Sequence, residues 1–473
     1  VQLVSLALFV VLSVAAPLIG LSHSASQMFS RLDPLVGASV VIASRVWAGY
    51  ALLGLITLAA AVVLGRAWCG WVCPLGTILD IVPARSRKRS STLPGWLRYG
   101  KYATFGAIIV SAAFGTTSLM VLDPITIVLR PLQEYVMPRL GTDAMGQAVG
   151  AYLSTEALGA LAVLSILPLV LVVGLNAVAK RFWCSSLCPL GGMLALVSRL
   201  AVVRRGVDGD ACTSCGACAK ECPTRAIDPE EAFASSSSEC ITCLHCTDRC
   251  PTRAIAFRPH APAPLALPHD PDRREGLALL GATGASLAAV LVLPDVAAGQ
   301  EVLRPPSTDE QRLTELCVRC GACYSACPTG ALRPSTAALT PSGLWTPMLD
   351  ERPDHCTMHC NLCAEVCPTD ALHTPTREEA RELGLGAAAV VDRERCVGWR
   401  KGEQCMECQR SCPILGAITS TRETAIWHGM ERTASVPYVN TDLCVACDVC
   451  AEACPVMPAA IEVKRWGSSA SPS

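Results

Sequence analysis

The stretch that most constrains this chain is Cys212–Pro251, which reads CTSCGACAKECP and then CITCLHCTDRCP, with seventeen residues between Cys222 and Cys240. Each half is C-x2-C-x2-C-x3-C-P, the run that wraps a [4Fe–4S] cluster in two-cluster ferredoxins. A cubic cluster needs four thiolates converging from four directions. A tight loop supplies three of them, with Gly216 easing the backbone between Cys215 and Cys218. The fourth, followed by Pro, reaches the other cluster. The spacing therefore assigns Cys212, Cys215, Cys218 and Cys250 to one cluster, and Cys240, Cys243, Cys246 and Cys222 to its neighbour. Zinc and disulfides are the competing readings, but zinc sites seldom use eight cysteines at this doubled spacing.

All 28 cysteines fall in motifs. Four more cluster sets follow in residues 301–473: Cys317, Cys320, Cys323 and Cys327; Cys356, Cys360, Cys363 and Cys367; Cys396, Cys405, Cys408 and Cys412; and Cys444, Cys447, Cys450 and Cys454. Six [4Fe–4S] clusters, with iron held by these cysteines, are expected. A common tail, such as CPTRAI at Cys222 and CPTDAL at Cys367, puts an apolar residue where it can pack over a cluster. Which of the last four sets exchange their fourth ligand is open at this level. The remaining cysteines form two C-x3-C-P pairs, Cys69 with Cys73 and Cys184 with Cys188.

Apolar residues make up 51% of the 473 and charged residues 17%, a balance that suggests membrane spans joined to polar domains. Four apolar runs, 3–20, 47–65, 102–122 and about 157–179, read as spans. They form an internal repeat: span, L-D-P loop, span, then RAWCGWVCPLG (66–76) or RFWCSSLCPLG (181–191). Two spans per copy make the copies parallel. Basic residues around 84–101, and Lys180, Arg181, Arg199, Arg204 and Arg205, place the cysteine pairs on the cytoplasmic side, with Trp68, Trp71, Trp96 and Trp183 as an interfacial belt. A Pro-rich spacer (258–271) leads to Arg273-Arg274 and the apolar run 277–293, which resembles a twin-arginine export signal and reads as a fifth crossing. The expected fold is an α-helical membrane core of four spans in two parallel repeats, plus this fifth, with α+β ferredoxin-like domains. Its expected parts are residues 1–200 (membrane core), 206–258 (cytoplasmic two-cluster ferredoxin), 259–300 (linker and signal-anchor-like helix) and 301–473 (periplasmic four-cluster domain).

Net charge is −1, so nothing global points to nucleic acid. No C-x-x-C-H or G-x-G-x-x-G occurs, and no span contains His, which removes c-type haem, dinucleotides and intramembrane b-type haem. One-electron transfer remains. Cys69, Cys73, Cys184 and Cys188 are candidates for a redox or metal site, a seventh centre, if the repeats bring them together; inert buried thiols are the alternative. Arg66 and Arg181 beside them would lower thiolate pKa if close. Asp33 and Asp123, each in L-D-P, are candidate quinol proton acceptors, against the simpler reading of a helix-capping Asp before Pro.

The two R-x-W-C-x3-C-P-L-G motifs followed by two C-x2-C-x2-C-x3-C-P sets resemble the NapH/MauN membrane ferredoxins, with a core related to the NosR group. Residues from Arg273 onward, including the C-x8-C-x2-C-x3-C-P set, resemble the NapG/MauM exported ferredoxins. The resemblance implies a fused quinol dehydrogenase module of the bacterial inner membrane, multi-pass, with ferredoxin domains on both sides. It would contact lipid and the quinone pool and work in a multi-subunit complex. Its electrons would pass from quinol through the clusters to a periplasmic redox enzyme or cytochrome. An assembly factor that reduces metal or thiol groups during metalloenzyme maturation is the alternative class.

Overall fold

The computed structural model describes residues 1–15, 27–47, 49, 51–82, 95–136, 156–259, 281, 284, 304, 305, 308, 310–327, 330–335, 343–349, 362–372, 387–412, 414–427, 430–444 and 449–465. The expected spacer beyond residue 259, nearly all of the run 277–293, and Cys356, Cys360 and Cys447 lie outside them. The chain divides into two compact units. The first comprises Val1–Met137, Glu156–Pro294 and Thr314–Cys320; the second comprises Pro138–Thr155, Asp295–Leu313 and Gly321–Ser473.

The first unit opens with a helical repeat. In one copy, helix Gln2–Val10 is followed by helix Pro34–Ser44, helix Ala51–Leu64, a π-turn Trp68–Val72 and helix Pro74–Ile81. In the other, helices Gly100–Ala113, Pro124–Pro131 and Glu156–Leu175 lead to Phe182–Ser186 and helix Pro189–Val197. Each L-D-P starts a helix with Asp as N-cap and Pro in the first turn, and each C-P starts another with Cys as N-cap. The copies interlock: Pro74–Ile81 packs on its own Gln2–Val10 and on Pro124–Pro131 of the other copy, and Pro189–Val197 packs likewise on Gly100–Ala113 and Pro34–Ser44.

The expected membrane core is not what these elements form. No helix among the described residues is long and apolar enough to cross a membrane, which overturns the four-span fold class and the multi-pass inner-membrane location. The second and third expected spans fold as helices of 14 residues, Ala51–Leu64 and Gly100–Ala113. At 1.5 Å per residue each is about 21 Å long, against a hydrocarbon layer near 30 Å. The fourth, Glu156–Leu175, carries Pro168 inside it, and its described side chains begin only at Ser165. The first combines helix Gln2–Val10 with a π-turn Val11–Ala15.

Basic residues that suggested sidedness are largely structural. Lys101 and Arg181 are fully buried and Arg205 nearly so. Of the supposed tryptophan belt, Trp183 is buried and Trp71 Nε1 donates to the Thr242 carbonyl at 2.9 Å. Helix Ala51–Leu64 turns Ala51, Gly54, Thr57 and Ala61 inward and leaves Leu52, Leu55, Ile56 and Val63 exposed.

The same unit carries the first ferredoxin-like segment. Strand Val203–Val207 pairs antiparallel with Ile255–Pro259, closing the first and last residues of the segment on each other. Short helices Ala217–Glu221 and His245–Asp248 lie between, over a core of Ile227, Phe233, Cys246 and Ile255. The segment sits on the helical repeat without a gap. A Cβ added at Gly70 would fall 2.1 Å from the Ile241 carbonyl oxygen, an approach only glycine allows.

In the second unit, strand Ala387–Val391 pairs antiparallel with Ile461–Arg465, the same closure as in the first ferredoxin segment. Leu332–Pro334 pairs with Pro347–Leu349. Strands Ile418–Trp427 and Met430–Val439 pair antiparallel as a long ribbon between the third and fourth C-terminal cysteine sets. Helix Glu156–Leu175 leads into Arg181, which is anchored by Asp80 from the other copy: Arg181 Nε and Nη2 donate to Asp80 at 3.0 and 2.5 Å. Asp80→Ala strands a guanidinium with no exposed surface, so chemical denaturation should show a loss on the order of 3 kcal/mol. Gly70→Val should cost at least as much and loosen the ferredoxin segment, read as faster amide exchange at 238–246.

Candidate functional site

Three groups of cysteines converge on small apolar cavities. Cys212, Cys215, Cys218 and Cys250 line one, with Val207, Phe233, Ala254 and Ile255. Cys222, Cys240, Cys243 and Cys246 line another, with Ala226, Ile227 and Phe257. In both, the fourth cysteine comes from the opposite motif, the exchange expected from the spacing. In the second unit, Cys396, Cys405 and Cys408 share a cavity with Cys454 from the last set. Cys412 lies in turn among Cys444, Cys450 and Cys454 around Ile418 and Ile461. The third and fourth sets therefore exchange with each other, which the sequence left open. Cys323, Cys327 and Cys363 pack around Tyr324, Ala331, Leu332 and Leu349, bringing members of the first and second sets together.

The donor chemistry suits [4Fe–4S] clusters. Backbone N–H groups point at the closing sulfurs: Ala226 N–H to Cys222 Sγ at 3.3 Å, Ala371 to Cys367 at 3.2 Å and Ala460 to Cys454 at 3.3 Å. Such bonds stabilise bound thiolates. The C-P-T tails add a hydroxyl: Thr224 Oγ1 lies 3.8 Å from Cys222 Sγ, Thr252 Oγ1 3.7 Å from Cys250 Sγ and Thr369 Oγ1 3.8 Å from Cys367 Sγ. This threonine was visible in the repeated tail but its role needed the fold. Burial pushes the unligated Cys240 thiol up to about 12 and Cys408 up to about 11.

The helical repeat gathers Cys69, Cys73, Cys184 and Cys188, all buried. Burial raises the Cys73 and Cys188 thiols well above their ordinary value and Cys184 to about 11. Arg66 and Arg181 do oppose this at Cys184, but desolvation outweighs them, which corrects the expectation of lowered thiol pKa values. The guanidinium groups serve the fold across the repeat: Arg66 Nη2 donates to the Cys184 carbonyl at 3.2 Å, and Arg181 Nη1 to the Cys69 carbonyl at 2.8 Å. A further buried group, missed in the sequence, joins this face to the ferredoxin segment. Glu239, beside Cys240, is hydrogen-bonded by Lys101 and faces Arg66, whose Nη1 also donates to the Ser238 carbonyl at 3.0 Å. Among the described residues, no three His, Cys, Asp or Glu side chains are placed to hold a single metal ion.

Asp33 and Asp123 are both fully buried and both cap helices: Asp33 Oδ1 accepts from Leu35 N–H at 2.7 Å, and Asp123 Oδ2 from Ile125 and Thr126 N–H at 3.0 Å each. Pseudosymmetry also brings the two carboxyl groups against each other. Burial and then the Asp123 charge raise Asp33, and burial raises Asp123 to about 6. Two carboxyl oxygens in contact need a proton between them, so the pair titrates as a unit. Nearby, Thr117 Oγ1 donates to the Cys317 carbonyl at 3.0 Å and Arg130 Nε to the Arg319 carbonyl at 2.9 Å, fixing the segment Thr314–Cys320 to this unit.

Folded Asp123 keeps its proton up to about pH 6, and burial holds Asp33 well above the ordinary value too, whereas an unfolded Asp releases its proton near 3.8. The contribution of Asp123 to stability is thus complete below that lower value and declines as pH rises through about 6. Asp123→Asn preserves the cap and removes one of the two raised carboxyl groups, so the fall in stability between about pH 4 and 6 should become shallower, measured by denaturant midpoints across that range.

Comparison with known proteins agrees with this geometry. A 4Fe-4S binding domain profile matches residues 46–92 and 161–208, the later part of each helical repeat. A 4Fe-4S dicluster domain matches 204–251, another 316–371, and a 4Fe-4S binding domain matches 437–458. The methylamine utilization ferredoxin-type protein MauM of Methylobacillus flagellatus is 34% identical over 192 residues, 40% of this chain and 79% of that protein. The ferredoxin-type protein NapG of Escherichia coli is 34% identical over 165 residues, 34% of this chain and 69% of NapG. MauN of Methylorubrum extorquens is 29% identical over 234 residues, 47% of this chain and 71% of MauN. No solved structure matches. With its cysteines gathered four by four and these relatives at this coverage, the chain belongs to the MauM/NapG family of iron–sulfur electron-transfer ferredoxin-type proteins.

Proposed function

We propose that the chain relays single electrons through six [4Fe–4S] clusters held in three exchanging pairs. The observation that carries this reading is the four-cysteine lining of each described cavity, with the fourth cysteine always from the partner motif. Cys212, Cys215, Cys218 and Cys250 hold one cluster, and Cys222, Cys240, Cys243 and Cys246 the next. Cys396, Cys405, Cys408 and Cys454 hold a third, and Cys444, Cys447, Cys450 and Cys412 a fourth. The remaining eight C-terminal cysteines, Cys317 to Cys367, exchange in the same way. A bound cluster supplies one-electron transfer. The chain supplies N–H and hydroxyl donors to sulfur and an apolar wall of Ala226, Ile227, Ala254 and Ile255 that limits water.

Quinol is the proposed electron source and a partner redox enzyme the acceptor. Relatives named for methylamine utilization support an amine-oxidising system as the setting. The second reading, an assembly factor that reduces metals or thiols, rests on the four buried thiols of the helical repeat. Anaerobically prepared protein should contain at least about twenty-four irons and as many sulfides, four per cluster. In spectra of the reduced protein, Cys250→Ser should remove the same component as Cys212→Ser, and Cys222→Ser the same as Cys240→Ser. Loss of components by motif, not by exchange, contradicts the pairing. A quinol analogue should bleach the clusters; bleaching only by a low-potential donor, with thiol or metal reduction downstream, favours the second reading.

A further inference from the structure

The family profile that matches each helical repeat is described as 4Fe-4S binding, yet each matched stretch, 46–92 and 161–208, holds only two cysteines. A cubic cluster needs four. The fold resolves the shortfall by bringing both pairs to one buried place. We propose that Cys69, Cys73, Cys184 and Cys188 form one further [4Fe–4S] site, shared between the two repeats and placed beside the site of Cys222, Cys240, Cys243 and Cys246. This rests on the reading of the chain as an iron–sulfur electron carrier and adds a centre to it.

The two motifs hold each other: all four cysteines are buried, Arg66 of one repeat donates to the Cys184 carbonyl and lies against Gly191, and Arg181 of the other donates to the Cys69 carbonyl and lies against Gly76.

The surroundings suit an anionic cluster. Cys73 and Cys188 stand at the N-termini of helices Pro74–Ile81 and Pro189–Val197, and Gly191 N–H donates to Cys188 Sγ at 3.3 Å. Helix N-termini and N–H groups favour bound thiolate. Arg66 and Arg181, buried on either side, supply two positive charges, so that a cluster with four thiolates is not left uncompensated in a dry interior. Asp80 faces Arg181 and Lys180, and Glu239 faces Arg66 and Lys101, so these four cations exceed the two carboxylates by two.

The contact toward the ferredoxin segment is direct. Gly70, next to Cys69, lies against the Ile241 carbonyl; Trp71 donates to the carbonyl of Thr242; and Arg181 lies near enough to affect Cys243. Residues 69–71 thus touch 241–243, the loop that carries Cys240 and Cys243. One electron passing between the two sites makes and breaks no bond and needs no proton.

The test is iron and sulfide content, with low-temperature EPR and Mössbauer spectra, of the full chain prepared without air. The wild type should hold about twenty-eight irons, four for each of seven clusters. Cys69→Ser with Cys184→Ser should hold about twenty-four while keeping every component assigned to the six ferredoxin sites. Wild type at about twenty-four with no change in the double variant overturns the seventh site and leaves the six standing. A zinc ion retained by these four cysteines, or a mass two hydrogens lighter per pair in unfolded, alkylated protein, overturns it equally. Wild type far below twenty-four defeats the underlying reading instead. If the double variant does not fold, the wild-type iron count and the alkylation of these four thiols before and after iron chelation decide between the same outcomes.

Discussion

Two desolvated guanidinium groups hold the first unit together. Arg66 of one repeat ends on the carbonyl of Cys184, and Arg181 of the other ends on the carbonyl of Cys69. Neither has any exposed surface, so the charge of each depends on the buried partners around it. Asp80 completes one side and Glu239 the other. Because Glu239 immediately precedes Cys240, the same ion group that closes the repeat also seats the ferredoxin segment. Removing either arginine would therefore affect the helices and the cysteine loop together.

Close backbone approach is the second condition. The repeat packs with small residues inward, as helix Ala51–Leu64 shows with Ala51, Gly54, Thr57 and Ala61, and the ferredoxin loop rests on Gly70 with no room for a side chain. Short helices follow from this arrangement. Each repeat breaks twice, at Asp-Pro and at Cys-Pro, because proline starts a new helix there, with a side-chain cap from Asp33, Asp123 and Cys188. The apolar run 102–122, which looks continuous in the sequence, is divided at Gly115, and the run 47–65 ends at Gly65, both at positive φ.

The cysteine sets were legible because cluster geometry demands a fixed local spacing, and the exchange within Cys212–Cys250 followed from it. The strand pairing of Val203–Val207 with Ile255–Pro259 was not, since those residues carry little alternation and are brought together by the cluster loops between them. The ribbon Ile418–Trp427 with Met430–Val439 carries its own signal in alternating threonines and branched residues, and it holds no cysteine. Membrane spans were inferred from hydropathy and charge, and both signals misled. Lys101 and Arg181 read as flanking charge but are buried partners of Glu239 and Asp80.

What the sequence determined alone was the set of candidate ligands: which cysteines recur at cluster spacing, where proline closes each set, and that a motif repeats. Those are local properties, fixed by covalent spacing. Tertiary structure decided everything that depends on distance between remote segments. It brought the third C-terminal set against the fourth, joined Asp33 to Asp123, and locked each C-x3-C-P turn to the arginine of the other repeat. Spacing along a chain sets what a loop can wrap, but only packing sets which loops meet.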